Sequence, residues 1–254
     1  MDRNRKLFII VILVAIFCVI VAFYFYNSLS PTNNLTPNLS EVLSPIDNPF
    51  SPSNVTPFSI VTLGSSDYGS VTREGPYGNP SSPTKIAIIA GIHPLESQAH
   101  LAFIESLKEK NNTLQNCYYI YRVNITRDAD DYEKGRDHGQ NLARQYIVPD
   151  IQKQKFDLVV DVHSNRGNYE KRRFIYVPAE SPTADNAASQ LVNKINWLSI
   201  FTPPNPTSPQ YVAIPLIKSG IPTILYETYM YETYHLTLTH ADQFITVLDQ
   251  IELK

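Results

Sequence analysis

Cysteine is scarce in this sequence, and its scarcity excludes one broad class of extracellular protein. The 254 residues contain only two cysteines, Cys18 and Cys117. Cys18 falls inside a long apolar run, so Cys117 is left alone in the rest of the chain. Small secreted domains that lack a sufficient core depend on several disulfides. We therefore expect no internal disulfide here, and a fold that depends on its hydrophobic core.

An excess of positive charge is also missing. The chain has 21 Lys and Arg residues against 24 Asp and Glu, a formal net charge of −3. No basic cluster of the kind that binds phosphate backbones interrupts the domain. The sequence therefore predicts no nucleic-acid partner.

Charge of either sign is absent from Leu7 to Tyr26, a run of twenty residues that is long enough to span a bilayer. Three basic residues precede it, within a short flank at residues 1–6, and the run ends in four aromatic residues, which is typical of a membrane interface. We expect an uncleaved, single-pass anchor with a cytoplasmic N-terminus, which places everything after residue 27 outside the cell. The alternative is that the anchor is cleaved and the protein secreted.

Two further regions follow the anchor. Residues 27–57 are rich in Pro, Asn and Ser with few apolar residues, which predicts a stalk. Residues 58–254 have the length and apolar content of one globular domain.

Strand-like and helix-like segments alternate within this domain. The predicted strands are Phe58–Leu63, Lys85–Gly91, Cys117–Ile125, Phe156–Val162, Phe174–Val177 and Ile221–Tyr226, and the predicted helices are Leu95–Lys110, Asn141–Gln154, Pro182–Trp197 and Thr239–Leu253. Residues 64–83, rich in Gly and Pro, predict a loop. Several strands are continuous apolar runs, as expected when both faces of a sheet are covered. The expected fold class is α/β, with three α/β/α layers around a mixed, mostly parallel sheet.

The first candidate site is the segment Gly91–Glu96, where a predicted strand gives way to a predicted helix. Pro94 favours an extended conformation at His93 and suits the first position of a helix, which puts Glu96 in the first turn. Imidazole and carboxylate are both zinc ligands, and a catalytic zinc commonly takes two His and one Glu. The segment therefore predicts part of a zinc site.

A third ligand follows at a similar place. His163 comes at the carboxyl end of another predicted strand, and ligand sites in such sheets gather beyond these ends. Asp161, two residues earlier, is expected to orient a ligand imidazole. A lone histidine here would more often be an ordinary core residue, but the His93 and Glu96 pair reverses that preference.

Glu227 ends the predicted strand Ile221–Tyr226 and is the candidate general base. Glu232 is its rival, although the strand end fixes Glu227 better. Arg136 and Arg144 are candidates to steady an oxyanion or to bind a carboxylate. His138 is a weaker metal candidate because it falls in a predicted loop.

Taken in order, these residues resemble the zinc carboxypeptidase superfamily, and most nearly its succinylglutamate desuccinylase and aspartoacylase branch. The resemblance rests on His93-Pro94-Leu95-Glu96, Asp161-Val162-His163 and Glu227, and covers residues 58 to 250. It implies one Zn²⁺ held by His93, Glu96 and His163, with Glu227 as the base. It also implies that Arg136 polarises the scissile carbonyl and that Arg144, eight residues later, binds the substrate carboxylate. Ala143 departs from the family pattern, which has Asn before the second arginine.

The expected function is a membrane-anchored, extracytoplasmic zinc amide hydrolase of the metallocarboxypeptidase type. Its expected substrates are peptides with a free carboxylate, with cell-wall peptides as one class. One alternative is an N-acyl amino acid deacylase of the desuccinylase and aspartoacylase type. The other is a non-catalytic surface module that binds peptide termini or glycan.

Overall fold

The computed structural model describes residues 57–253. The predicted anchor at 7–26 and almost all of the predicted stalk at 27–57 lie outside these residues. Within the described range, no helix is long and apolar enough to cross a membrane.

Eight strands form one mixed sheet in the order β1-β2-β4-β3-β5-β8-β6-β7. The strands are β1 (Ser59–Ser66), β2 (Gly69–Gly78), β3 (Lys85–Ala90), β4 (Cys117–Ile125), β5 (Leu158–Asn165), β6 (Phe174–Tyr176), β7 (Ser199–Ile200) and β8 (Thr223–Tyr229). The central strands β4, β3, β5 and β8 run parallel to one another. Their carboxyl ends therefore meet at one edge of the sheet.

Helices cover both faces of this sheet. They are α1 (Ser97–Glu109), α2 (Tyr132–Leu142), α3 (Val148–Gln154), α4 (Pro182–Lys194), α5 (Ala213–Lys218) and α6 (Tyr234–Leu248). One buried cluster joins α1, α4 and α6 to the sheet, and a second joins α2, α3 and α5 to the opposite face. The predicted three-layer architecture is confirmed for the described residues.

The central strands owe their position to their apolar residues. Strand β3 is almost wholly buried, and all eight residues of β5 are buried, including the polar ones at its carboxyl end. Strands covered on both faces have no solvent side, so apolar and polar residues do not alternate along them, and Val and Ile are the most frequent residues. The rim of the sheet is consequently where buried polar side chains appear.

The predicted loop at 64–83 is wrong. Most of this segment forms β2 and the end of β1, which pair as an antiparallel hairpin at the sheet edge. The Gly75-Pro76 pair, which indicated a loop, falls where the register of β2 shifts against β4, between Glu74 and Tyr77. Proline is tolerated in a strand at such an irregularity because no ladder donor is needed there.

The second predicted helix was placed too late. Helix α2 begins at Tyr132, and the carboxylate of Asp131 caps it by accepting hydrogen bonds from the backbone N–H groups of Glu133 and Lys134. A π-helical turn at Ala143–Ile147 joins α2 to α3. Arg136 therefore lies on a helix rather than in a loop.

Candidate metal centre

The first two candidate ligands lie in a tight turn after β3. His93 has an extended backbone (φ −111°, ψ 105°), and Pro94 begins a single 3₁₀ turn that ends at Glu96. This agrees with the conformation expected of a residue before proline. The turn carries the side chains of His93 and Glu96 to the rim, next to the end of β5.

Glu96 holds the two histidines together. Its Oε1 lies 2.9 Å from His93 Nδ1, and its Oε2 lies 3.0 Å from His163 Nδ1. The backbone N–H of Ser164 also donates to Oε2, at 3.0 Å. The candidate ligand atoms of His93, Glu96 and His163 all lie within 4.8 Å of one another, and all three residues are buried. The structure therefore brings together the three residues that the sequence pattern nominated.

Each histidine also has a polar neighbour at its other ring nitrogen. Asp161 Oδ1 lies 3.1 Å from His163 Nε2, although without the alignment of a hydrogen bond. Gln140 Nε2 lies 3.1 Å from His93 Nε2. Rotation of the Gln140 amide by a half-turn would present its oxygen as an acceptor instead. Such partners fix the tautomer of metal-binding histidines, so both Nδ1 atoms can face a shared ion.

The ionisation of the three groups follows from this geometry. Burial lowers the pKa of His93, partly opposed by the charge of Glu96. For His163 burial acts in the same direction, but Asp161 and Glu96 outweigh it and raise the pKa well above its ordinary value. Burial opposes ionisation of Glu96, yet the two histidines hold its pKa well below the usual range. A carboxylate between two imidazole nitrogens is a donor set that suits a divalent cation such as zinc.

A cavity of about 370 Å³ opens onto this cluster. It is lined by His93, Pro94, Leu95, Glu96, Asp131, Tyr132, Arg136, Ser164, Asn165, Arg166, Asn168, Tyr169, Ser208, Glu227 and Met230. The lining combines residues from the turn after β3, from the start of α2, from the end of β5 and the loop after it, from the end of β8, and Ser208. Five separate stretches of sequence therefore contribute to one site.

Glu227 reaches the cavity because β8 lies beside β5. The two strands are parallel, and Glu227 is in register with His163. Burial, reinforced by the charge of Glu96, raises the pKa of Glu227 to about 8. Asn165 Nδ2 donates a long hydrogen bond of 3.4 Å to Glu227 Oε2. Strongly perturbed carboxyl groups in clefts are typical of functional sites.

Arg136 contacts the ligand cluster directly. Its Nη1 lies 3.2 Å from Glu96 Oε1 and 3.1 Å from His93 Nδ1. The next turn of α2 also packs closely against the segment that carries His93. A Cβ on Gly139 would lie only 1.7 Å from the carbonyl oxygen of Ile92. Because Gly139 has no side chain, the helix backbone can contact Ile92, and this contact places Gln140 beside His93.

Arg144 is not brought to the cavity. Its side chain is exposed on the π-helical turn, and it is not among the lining residues. Arg144 follows Arg136 by eight residues, across the junction of α2 and the π-helical turn, and the two guanidinium groups do not line the cavity together. The role that the resemblance implies for Arg144 stays a prediction.

The rival base Glu232 lies outside the cavity, in a network of its own. Its carboxylate accepts hydrogen bonds from the Arg173 guanidinium, Thr228, Thr237 and His240. Burial opposes its ionisation, but His240 and Arg173 lower the pKa of Glu232 to about 2. This carboxylate anchors the segment after β8 to α6. His138, the weaker metal candidate, stacks on Tyr68 instead, with ring centroids 4.1 Å apart.

Several lining residues carried no recognisable signal in the sequence. Arg166 and Tyr169 follow His163 in a segment without periodicity, and Tyr132 lies between the predicted strand Cys117–Ile125 and the predicted helix Asn141–Gln154. Gln140 does not line the cavity, and nothing in its spacing indicated its contact with His93. These residues become part of the site only through the fold.

Of the comparisons with known proteins, the one with solved structures identifies the fold. No protein-family model matches the sequence, and no curated protein matches it significantly. Among solved structures, a metallo-carboxypeptidase from Burkholderia cenocepacia matches with a TM-score of 0.51 at 13% identity, over 75% of this chain and 63% of that one.

Two further structures match similarly. A protein provisionally named a carboxypeptidase from Burkholderia mallei gives a TM-score of 0.53 at 14% identity, over 76% of this chain and 63% of that one. A protein provisionally named carboxypeptidase A, from Shewanella denitrificans, gives a TM-score of 0.52 at 16% identity, over 75% of this chain and 64% of that one. This chain thus spans less than two thirds of each. The described residues have a metallocarboxypeptidase-like fold, and none of these three structures is named for the desuccinylase branch.

Proposed function

We propose that this protein is a membrane-anchored, extracytoplasmic zinc-dependent amide hydrolase of the metallocarboxypeptidase type, acting on peptides with a free carboxylate. The observation that carries the proposal is the buried cluster of His93, Glu96 and His163, because His93 and Glu96 line a cavity that Glu227 and Arg136 also line. Each of these five residues has a role in one reaction, the hydrolysis of an amide.

The donor set fits zinc. The Nδ1 atoms of His93 and His163 each contact one oxygen of the Glu96 carboxylate, and polar groups lie beside the other ring nitrogens. When bound, zinc would acidify a water molecule and polarise the scissile carbonyl. His93, Glu96 and His163 would hold it.

Glu227 moves the proton. Glu227 lines the cavity beside His93 and Glu96, where its carboxylate would accept a proton from the attacking water. The same group then delivers that proton to the leaving amine. A carboxyl group whose pKa lies near the working pH serves both steps.

Arg136 stabilises developing negative charge. Its guanidinium lies at the ligand cluster, where a fixed cation would favour the oxyanion over the neutral carbonyl. The cavity walls limit the water around this point, which strengthens the interaction.

The charge-free run at 7–26 supports the membrane anchor, and protease accessibility of the domain on intact cells would test its location.

The deciding experiment measures zinc content and peptidase activity together in the full chain. Glu227→Gln should retain zinc and lose at least about 100-fold in kcat/KM, the usual contribution of a positioned general base. Glu180→Gln, an exposed glutamate away from the cavity, is the matched control and should match wild type.

Full activity in Glu227→Gln would refute the mechanism. A zinc-loaded protein that releases no C-terminal residue from a peptide panel but deacylates N-acyl amino acids would replace the peptidase assignment with the deacylase alternative. A protein that binds peptides regardless of chelator, and purifies without zinc, would favour a binding module.

A further inference from the structure

A second cavity, of about 280 Å³, lies between α1 and the carboxyl ends of β3 and β4. Pro94 lines both this cavity and the one at the candidate metal centre, whereas none of the three candidate metal ligands lines the second. Cavities that hold drug-sized ligands measure about 300–1,000 Å³. The second cavity therefore suits a smaller molecule, and the turn that carries the metal ligands separates it from the catalytic groups.

One part of the second cavity is apolar. Leu101 lines it from α1 and is 47% exposed. The other apolar lining residues are Ala90, Pro94, Ile104, Val123, Ile125 and Ala129. Contact with this wall would remove an aliphatic group of a ligand from water, and would cover Leu101 at the same time.

Strand β4 supplies a positive charge to the same space. Arg122 and Asn124 line the cavity and are exposed, and they alternate along the strand with buried Val123. Residues two apart point to the same face of a sheet. Ile120, two residues before Arg122, belongs to the buried cluster that packs on α1. The Arg122 guanidinium is therefore on the α1 face, where it can bind an anionic group of the ligand.

His100 adds a buried hydrogen-bond acceptor. It lines the cavity, is only 4% exposed, and donates a hydrogen bond of 3.0 Å from Nε2 to the backbone oxygen of Val162. A carbonyl oxygen only accepts, so the proton is on Nε2. Burial lowers the pKa of His100 to about 4, so the ring is neutral at pH 7 and its Nδ1 is an acceptor.

No ligand-independent contact satisfies this Nδ1. It has no hydrogen-bond partner within residues 57–253, and it is not one of the three unpaired side-chain atoms there that are sealed from solvent. The atom therefore keeps accessible surface, to which an N–H group in the cavity can donate. An acceptor, a cation and an aliphatic wall together describe the ligand.

We propose that the second cavity binds a free apolar α-amino acid such as leucine. Its ammonium group donates to His100 Nδ1, its carboxylate binds Arg122, and its side chain packs on Leu101. A fatty acid would leave the histidine unpaired, and an amine would leave the arginine unpaired. Free amino acids are also what a peptidase that removes terminal residues releases. In this last respect alone the inference rests on the proposed function, under which the cavity is a product site whose Pro94 wall belongs to the metal-ligand turn.

The test is calorimetric titration of the zinc-loaded full chain with four ligands. Leucine has all three groups, leucinamide lacks the carboxylate, 4-methylpentanoate lacks the ammonium group, and glycine lacks the side chain. Each of the last three should bind about 10- to 100-fold more weakly than leucine, the range for one charged hydrogen bond or one buried aliphatic side chain.

Two variants assign these preferences to residues. Arg122→Gln should abolish the preference for leucine over leucinamide, and Leu101→Ser should abolish the preference for leucine over glycine. Arg172→Gln and Leu236→Ser are the matched controls and should bind leucine as wild type does, because both residues are exposed and line neither cavity. Arg136→Gln tests the other cavity and should also leave leucine binding unchanged.

The proposal is wrong if leucine binds no better than leucinamide and glycine, or if Arg122→Gln and Leu101→Ser leave its affinity unchanged. Loss of leucine binding in Arg136→Gln but not in Arg122→Gln would place the amino acid at the metal centre instead. None of these titrations needs turnover. Leucine binding that depends on Arg122 in a protein without peptidase activity would refute the proposed function and leave the second site intact, and peptidase activity without leucine binding would do the reverse.

Discussion

Replacing Gly139 by alanine tests whether the close approach of helix α2 to the turn after β3 holds the candidate metal centre together. In an unconstrained helix the change would stabilise the protein by about 1 kcal/mol, because alanine is the better helix former. Here the new Cβ would lie 1.7 Å from the carbonyl oxygen of Ile92. Helix propensity therefore predicts that Gly139→Ala raises the free energy of unfolding, whereas the steric contact predicts that it lowers it.

The steric effect should dominate. Overpacking typically costs about 1–3 kcal/mol, and the upper end applies because the obstructing atom belongs to the backbone and cannot rotate away. After subtraction of the helix gain, we expect a net destabilisation of about 2 kcal/mol, which corresponds to a fall in Tm of roughly 4–8 °C for a domain of this size. The retreat of α2 also moves Gln140 from His93, so zinc affinity should fall by about 10-fold or more.

Urea unfolding and competition with a chromophoric chelator measure these two effects. Asn141→Ala is the matched control, since Asn141 is exposed on the same helix and alanine there gains propensity without a clash. A Gly139→Ala protein that is as stable as Asn141→Ala, with unchanged zinc affinity, would show that the backbone contact at Ile92 is not required.

Two further predictions concern the polar groups around the site. Asp161→Asn should weaken zinc binding by about 10- to 100-fold without unfolding the protein, because His163 loses the charge beside its Nε2; chelator competition measures this, and an unchanged affinity would rule out the orienting role. Glu232, with its pKa lowered to about 2, stabilises the fold above the pKa of about 4.3 that it has when unfolded. That contribution is lost as the pH falls from about 4.3 towards 2, so Glu232→Gln should be less stable than wild type at pH 7 and approach it near pH 2 in urea unfolding. A constant difference across this range would exclude the ionised network as the cause.

Much of the fold could be predicted because its central strands are covered on both faces. The boundaries of β4 were predicted to the residue, and β3 to within one residue, since a run of buried apolar residues ends where the polar loop begins. Strand β1 was predicted at Phe58–Leu63 and found at Ser59–Ser66, whereas β2 was missed because its Gly and Pro residues indicated a loop. Helix α2 was missed because its glycines, which usually break helices, are there to admit the backbone of a neighbouring segment.

The sequence by itself determined which residues could be metal ligands and a base, because strand ends and a proline fix where His93, Glu96, His163 and Glu227 stand along the chain. Only the tertiary structure decided which other groups join them. Arg144 is exposed and does not line the cavity, Glu232 pairs with Arg173, and Gln140, Tyr132 and Arg166 join the site. The physical reason is that ligand chemistry depends on local residue type and backbone conformation, whereas the recognition of a substrate depends on which side chains of distant segments face one cavity.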